Sequence, residues 1–551
     1  MRLKFYFPAI LLLLILTSCE KEEFRNTSRV VIAIQSEPET LNPIYAFGIN
    51  EGVITDHLFL YLLDLKWNAT KGDVEAFPML ADKWQWNPDS TSIEIYLRKD
   101  AKWIDGKPIS AYDVVYSFDI YSDKAVQSRF YGTFKNFYHF ENGEVNIQKT
   151  FSVKDSFHLI INFMPDKIIS LFDLAFPIVP KHVYEKIKRN EIQTAEINFN
   201  PVSSGVYKLK KWERNQYIIL EANKDCFLYD EDMIKEIIFK VVPDYNSLLT
   251  QIKKGEIDFA EDIRPSDARQ LGNYKNLKIV PVRGRQYDYV GWSNIDGKYF
   301  NETKKIKPHR LFGDKKVRQA LSYAINRKEI LDQYLLNYGS LCNSPISEIF
   351  VNEFDSSLAG FEFNPDKAKQ LLEEAGWTDR NKNGVLEKNN FEFSFTLNIP
   401  SGNPLREFAA TVIKNNLKQV GIETNVEKLE FGVLMDGVLN RKLDAWILAW
   451  FIPLPIDLKP YWYSDLTNTQ MNFVGYQNRV ADDIILNLEK KNSYNTYIEL
   501  MKRFQQVISD DQPVTFLYWV DNIICYNSRI KNITIDPFGP VQRIWEWRLK
   551  N

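Results

Sequence analysis

LDAWILAWFIPLPIDLKPYWYS, residues 443–464, is the stretch from which the rest of the chain is read. Ala445 to Phe451 is a nearly unbroken apolar run with two tryptophans and no turn residue, the composition of a strand covered on both faces. Pro453 and Pro455 forbid further ladder pairing, so the chain must leave the sheet there. The loop beyond carries a single acid, Asp457, followed by Tyr461, Trp462 and Tyr463. Ligands of open α/β sheets sit just outside strand ends, so a buried strand opening into an aromatic loop reads as one wall of a binding site. A core strand with a packed exit loop is the plainer reading of the same residues.

The other end of the chain carries an address. Arg2 and Lys4 precede an apolar run over residues 5–16, too short to stay across a bilayer, and Leu16-Thr17-Ser18-Cys19 follows at once. That order is a signal peptide, and Leu-Thr-Ser-Cys resembles a bacterial lipobox, in which Cys19 takes the lipid and becomes the first mature residue. Lys21-Glu22-Glu23 is an acidic tether, similar also to a surface-export tag of some Bacteroidetes lipoproteins. The expectation is a protein tethered by its lipid, facing the periplasm or the cell surface.

More than 500 residues remain after the presequence, too many for one core, so two or three lobes are expected. Loss of Arg2 and Lys4 leaves 67 basic against 72 acidic residues, a net charge of −5. Nothing in that balance points to nucleic acid. Beyond Cys19 there are only Cys226, Cys342 and Cys525, far apart and odd in number, so no disulfide framework is expected and no zinc spacing appears.

Strands and helices alternate throughout, as in a mixed α/β chain. A short buried strand spans residues 30–34, and Glu37-Pro38-Glu39-Thr40-Leu41-Asn42-Pro43 is the proline-fixed loop leaving it. An apolar-periodic helix is read over 52–65. Thr91 to Arg98 alternates at period two, and Ser110 to Asp113 forms a capping box opening a helix. Strands are read over 277–281 and 287–292, the latter ending on Trp292. Between Asp314 and Leu336 Val317, Ala320, Leu321, Ala324 and Ile325 share a helix face, with Asn326 capping a new start.

Several of these segments together resemble one family, the solute-binding proteins of peptide- and nickel-type ABC importers, which includes oligopeptide- and dipeptide-binding proteins. They are Glu37 to Pro43, Leu97 to Val115 (LRKDAKWIDGKPISAYDVV), Ser204-Gly205-Val206-Tyr207, Gly255-Glu256-Ile257-Asp258, Val317 to Arg327 (VRQALSYAINR) and Ala368 to Trp377 followed by Asp379 to Gly384. The likeness runs over residues 30–540 with the motifs in family order. It implies an α/β, bilobal periplasmic-binding-protein fold of the large, three-domain, two-crossover type. Transferred here, a signal peptide covers 1–18 and a lipid-anchored tether 19–27. Lobe I would be 28–70, 200–280 and 505–551, inserted domain II 71–199, and lobe II 281–504. Crossovers are expected near Pro281 and near Asp510-Asp511-Gln512-Pro513.

The resemblance further implies a non-catalytic monomer without a cofactor, closing on a small, peptide-like solute and passing it to ABC permease subunits. The ligand residues it nominates are Glu37, Tyr45, Trp292, Trp450, Phe451 and Asp457. One departure stands out. Peptide-binding members carry an aspartate shortly after the strand tryptophan, for the ligand's ammonium group; here that place is Ile452-Pro453. Either Asp457 takes over the contact, or the ligand has no free amine and stacks on Trp450, Phe451 and Tyr45.

Enzymatic readings need a constellation that the motifs do not supply. The histidines (His57, His139, His158, His182, His309) lack metal spacing, and no nucleophile elbow or phosphate loop occurs. An exported hydrolase whose carboxylates meet only in space, or a receptor-like surface protein without a transport role, stays open as an alternative. Asp379 to Gly384 has the first half of a calcium loop but Asn390 at its twelfth position, so an Asx-stabilised turn is preferred to a weak calcium site. Arg318 reads as half of a structural ion pair, or else as an anion ligand.

Overall fold

The structure is a computed structural model and describes residues 28–165, 167–469 and 471–550. Cys19 and the whole presequence lie outside the described residues. Two large sheets organise the chain. The first has seven strands in the order Leu277–Val282, Asn522–Asn527, Phe259–Ala260, Arg29–Ile34, Glu236–Val241, Tyr217–Ala222 and Tyr207–Glu213. The second has six, ordered Gly339–Leu341, Val514–Val520, Gln286–Trp292, Ala445–Phe451, Ser394–Pro400 and Glu423–Leu429. A four-stranded sheet, built from residues 81–97 and 151–162, shares one continuous core with the first.

Strand composition explains the layering. In Arg29–Ile34, Val30, Ile32 and Ile34 enter the core shared with the four-stranded sheet, while Val31 packs on the opposite face with Ile238 and Leu248. Ala445–Phe451 divides in the same way: Ala445 and Ile447 face the helices at 315–324 and 404–419, and Trp446, Leu448 and Trp450 face an aromatic core behind. A period-two strand buried on both sides needs apolar residues at every position, which is what the sequence supplies.

Caps and turns have local causes. Asn364 accepts the Lys367 amide ahead of Pro365, and Ser110 with Asp113 completes a capping box. The Ser204-Gly205 turn presses on the end of helix Ile49–Leu58, where the Gly205 amide donates to the Leu58 carbonyl at 2.7 Å. A Cβ on Gly205 would sit 2.2 Å from the His57 carbonyl oxygen, so only glycine fits.

Two expectations are corrected. The helix read over 52–65 is Ile49–Leu58, and Leu63–Asn68 is a strand paired with Asp73–Pro78. Apolar spacing alone does not separate a helix from the strand that follows it. The second crossover is not at Asp510–Pro513. Strand Val514–Val520 belongs to the second sheet, so the chain returns to the first only at Asp521, just before Asn522–Asn527. The segment from 505 to 520 therefore packs with lobe II. The first crossing is Arg283-Gly284-Arg285, between Leu277–Val282 and Gln286–Trp292.

Candidate functional site

The two crossings lie side by side. Arg283 Nε is 3.1 Å from Asp521 Oδ1, and its NH1 also pairs with Glu348. Burial raises the Asp521 carboxyl, the Arg283 charge opposes that rise, and Glu348 adds to it. Arg285 spans outward from the first crossing: NH1 donates to the Ile452 carbonyl at 3.0 Å and Nε to the Pro537 carbonyl at 3.2 Å. Its guanidinium also sits 4.3 Å from the centre of the Phe451 ring. Burial draws the Arg285 guanidinium down to about 10. The crossing is thus stitched both to the first lobe's C-terminal segment and to the exit of the second lobe's central strand.

That exit forms a shallow apolar recess lined by Trp450, Ile452, Pro453, Ile456, Asp457 and Trp462 among others. Behind it, Trp450 stacks on Tyr289 at 4.0 Å and meets Trp462 edge-on at 5.0 Å. Trp450 is only 4% exposed, whereas Phe451, the next residue, is 53% exposed. Period two puts one in the core and the other at the surface. Asp457 Oδ1 accepts the Lys459 amide at 3.1 Å, and Oδ2 lies 3.4 Å from Lys135 Nζ.

Lys135 comes from the segment that also holds the first lobe's exit loop. The Arg129 amide donates to the Ile44 carbonyl at 2.9 Å, and the Arg129 guanidinium to the Ala46 carbonyl at 2.8 Å. Residues 129–135 thereby link the Tyr45 loop to Asp457. Tyr45 is half-buried, and burial, then the Asp123 charge, pushes its phenol up to about 12. Asn42 is the loop's anchor: its amide donates to Asn198 at 2.6 Å and its carbonyl accepts from Ile44 N and the Tyr184 hydroxyl, each at 3.0 Å.

The nominated residues therefore separate. Trp450, Phe451 and Asp457 meet at the recess. Tyr45 stands on the loop tied to Arg129. Glu37 is bound to its own lobe, its Oε1 accepting from Trp212 Nε1 at 2.8 Å and the Asn215 amide at 3.0 Å. Trp292 is corrected: it is fully buried, its Nε1 donates to Thr515 Oγ1 at 3.0 Å, and it pairs across from Ala445. Phe451 pairs with Gln286 at the other end of that ladder, so six residues, about 20 Å, separate Trp292 from the recess. The stacking surface expected of Trp450 is corrected too, since its ring faces are taken by neighbours and the exposed ring is Phe451. Lys135 and Arg285 were not anticipated. A two-arginine linker between strands was the available signal for Arg285; nothing near Lys135 in the sequence announces Asp457.

Three of the segments that carried the family resemblance serve as scaffolding. Arg318 is neither an anion ligand nor half of an ion pair at contact distance; it donates to the carbonyls of Phe312, Gly313, Asp511 and Gln512 at 2.9–3.1 Å. Asp258 receives Arg529 in a two-point contact at 2.9 and 2.7 Å and the Val31 amide at 3.0 Å. Asn381 accepts the Asn383 amide and Asn383 the Val385 amide, each two residues on, so that loop carries a pair of Asx turns, closed by Asp379 accepting the Gly384 amide. Cys226, Cys342 and Cys525 are buried free thiols.

Two sheets joined by paired crossings, with an apolar recess at the strand exit of the second, define a two-lobed binding protein. A family profile described as bacterial extracellular solute-binding proteins, family 5, middle region, matches residues 75–473, and the chain belongs to that family. It is a solute-binding protein of the peptide/nickel ABC-transporter type, and not an enzyme. The oligopeptide-binding protein AppA of Bacillus subtilis (strain 168) is 29% identical over 527 residues, spanning 94% of this chain and 91% of its own length. The dipeptide-binding protein of Escherichia coli (strain K12) is 23% identical over 528 residues, spanning 93% and 92%. Among solved structures, Bacillus subtilis AppA in complex with a nonapeptide aligns with a TM-score of 0.74 at 28% identity, covering 95% of this chain and 99% of that one. NikZ from Campylobacter jejuni in complex with Ni(L-His) shares the fold, with a TM-score of 0.75 at 23% identity and coverage of 95% and 100%. No helix among the described residues is long and apolar enough to cross a membrane.

Proposed function

We propose that this chain is a lipid-anchored extracytoplasmic receptor that captures a peptide-like solute between its lobes and hands it to an ABC permease. Cys19 would carry the lipid, Phe451, Asp457 and Tyr45 would contact the solute, and the receptor would act as a monomer. The observation that carries this reading is the meeting of the two exit loops. Asp457, on the second lobe, lies within 3.4 Å of Lys135, whose segment holds the Tyr45 loop, and Phe451 stands exposed beside them. A solute entering there touches both lobes at once, so binding favours their approach and displays a closed face to a partner. The likeness to AppA and to the dipeptide-binding protein supports a peptide over another small molecule.

The test is a thermal-shift screen of the mature protein with di- to nonapeptides, sugars and nickel chelates, followed by mass spectrometry of the recovered ligand. A peptide present at a hundred times its Kd stabilises the native state by about 2.7 kcal/mol. Stabilisation by peptides, recovered intact, supports the reading; stabilisation by chelates or sugars alone overturns the peptide assignment.

A further inference from the structure

The first lobe reaches the second at a place other than the crossings. Its hairpin, Leu63–Asn68 with Asp73–Pro78, is rooted in the first lobe: Leu63 lies in the core shared with the four-stranded sheet, and Asp64 pairs with Arg543 of the C-terminal segment. The far end of the hairpin lies on the second lobe. The Trp67 ring meets Phe350 edge-on at 5.9 Å, at the margin of the second lobe's aromatic core, and the Lys71 carbonyl accepts from Asn352 Nδ2 at 2.9 Å. Between these two contacts backbone lies on backbone. Gly72 holds φ +66°, and a Cβ there would fall 2.3 Å from the Val351 nitrogen and 2.4 Å from the Ile349 carbonyl oxygen. Neither atom can turn aside as a side chain would.

Both parts of this contact are held in shape by their own lobe. In the turn, Asn68 Oδ1 accepts the amides of Thr70 and Lys71 at 3.0 and 3.1 Å, and the Asn68 carbonyl accepts the Gly72 amide at 2.8 Å. The seat, residues 349–352, is fastened on both sides. Ahead of it, Glu348 pairs with Arg283 and Ser347 Oγ donates to the Gly284 carbonyl at 3.4 Å, which ties the seat to the first crossing. Behind it, the buried Gln505 donates to the Glu353 carbonyl at 2.6 Å and accepts the Asp355 amide at 3.1 Å. A turn rooted in one lobe and fitted to the backbone of the other links its seating to the angle between them.

Resting on the receptor reading, we propose that this hairpin is a strap: seated on residues 349–352 it holds the lobes in the close approach that also brings Lys135 to Asp457, and its release lets them part. The strap favours the closed arrangement before any solute arrives. Apparent affinity then rises with the fraction of molecules in which the strap is seated, although no strap residue touches the solute.

The experiment compares small-angle X-ray scattering of the solute-free mature protein with calorimetric titration of trialanine. Asparagine tolerates positive φ, so Gly72→Asn keeps the turn and sets a Cβ against the seat. A double variant, Trp67→Ala with Asn352→Ala, removes the side-chain contacts and leaves the glycine. Gly106→Asn is the matched control, at φ +86° with no atom within 4 Å of its added Cβ. Both strap variants are expected to raise the radius of gyration above that of the wild type and the control, and to weaken trialanine about three- to tenfold. Scattering unchanged in the strap variants overturns the strap, as does an equal rise in the control. Opening without loss of affinity overturns its part in capture. If Gly72→Asn does not fold, the double variant decides by the same two readings. A wild type that binds no peptide in the broader screen overturns the receptor reading, while the scattering still decides whether the hairpin holds the lobes.

Discussion

Lys135 Nζ and Asp457 Oδ2 are 3.4 Å apart, and they are separated by 322 residues of chain. One belongs to the segment that steadies the Tyr45 loop and the other to the exit of the second lobe's central strand. The contact therefore ties the lobes together at the mouth of the recess. Lys135 is 65% exposed and Asp457 38%, so the tie contributes little to stability, about 0–1 kcal/mol, and is screened by salt. Its interest lies in occupancy: on the proposed reading, in which Asp457 contacts the solute, the lysine ammonium takes the place that a solute ammonium would need.

Lys135→Gln should accordingly raise the affinity for peptides with a free amino terminus, and Asp457→Asn should lower it. Neither change should move the urea midpoint by an amount equivalent to more than about 1 kcal/mol. Isothermal titration of both variants with a free and an acetylated tripeptide checks this. An acetylated peptide that responds like the free one removes Asp457 from amine recognition.

Asp288 and Arg406 form the contrasting pair. They meet at 2.9 and 3.1 Å, and the two side chains are 2% and 11% exposed. Removing Arg406 leaves a buried carboxylate without a partner. Arg406→Met should cost about 3–5 kcal/mol in urea unfolding, and the double variant Asp288→Leu, Arg406→Met should recover part of that loss.

Gly205 offers a steric test. Its absent Cβ would fall 2.2 Å from the His57 carbonyl and 2.6 Å from the Leu58 carbonyl carbon, both backbone atoms. Gly205→Ala should destabilise the first lobe by about 1–3 kcal/mol, read as a lower thermal midpoint, since backbone at a helix end yields little.

Glu261 makes stability depend on pH. Burial, then the Asp262 charge, pushes its carboxyl up to about 7, while the Asn522 amide at 3.1 Å pulls the other way. An acid whose folded value lies above its unfolded one keeps its proton longer in the native state. Its contribution is present in full below the unfolded value near 4.5 and is lost as pH rises towards 7. Glu261→Gln should flatten the fall in unfolding midpoint between those limits. A slope unchanged by the substitution would place the titration elsewhere.

Much of the architecture could be read from residue order alone, because apolar runs such as Ala445–Phe451 and Arg29–Ile34 need cover on both faces and only a layered α/β body provides it. Caps at Ser110 and Asn326 act over three or four residues and were equally visible. The site was less so. Trp292 and Trp450 look alike in sequence, at strand positions with apolar neighbours, and only the antiparallel register puts Phe451 opposite Gln286 and Trp292 opposite Ala445. Asp521 was missed as a crossing because the family resemblance placed the return at Asp510–Pro513, and only strand pairing shows that Val514–Val520 still belongs to the second sheet. Glu37 was named through the family resemblance, yet the partners that bind it lie 175 and 178 residues away.

The neighbouring passages at Arg283–Arg285 and Asp521 also restrict how the molecule can flex. A Cβ on Gly284 would come within 2.7 Å of the Val520 carbonyl oxygen, so the two threads touch, and the Arg283–Asp521 contact fastens them. Two strands fastened at a single place act as a book's spine. On the receptor reading the halves would swing about that line through a few backbone torsions rather than slide past one another. Whatever enters would then be met by the same facing surfaces each time.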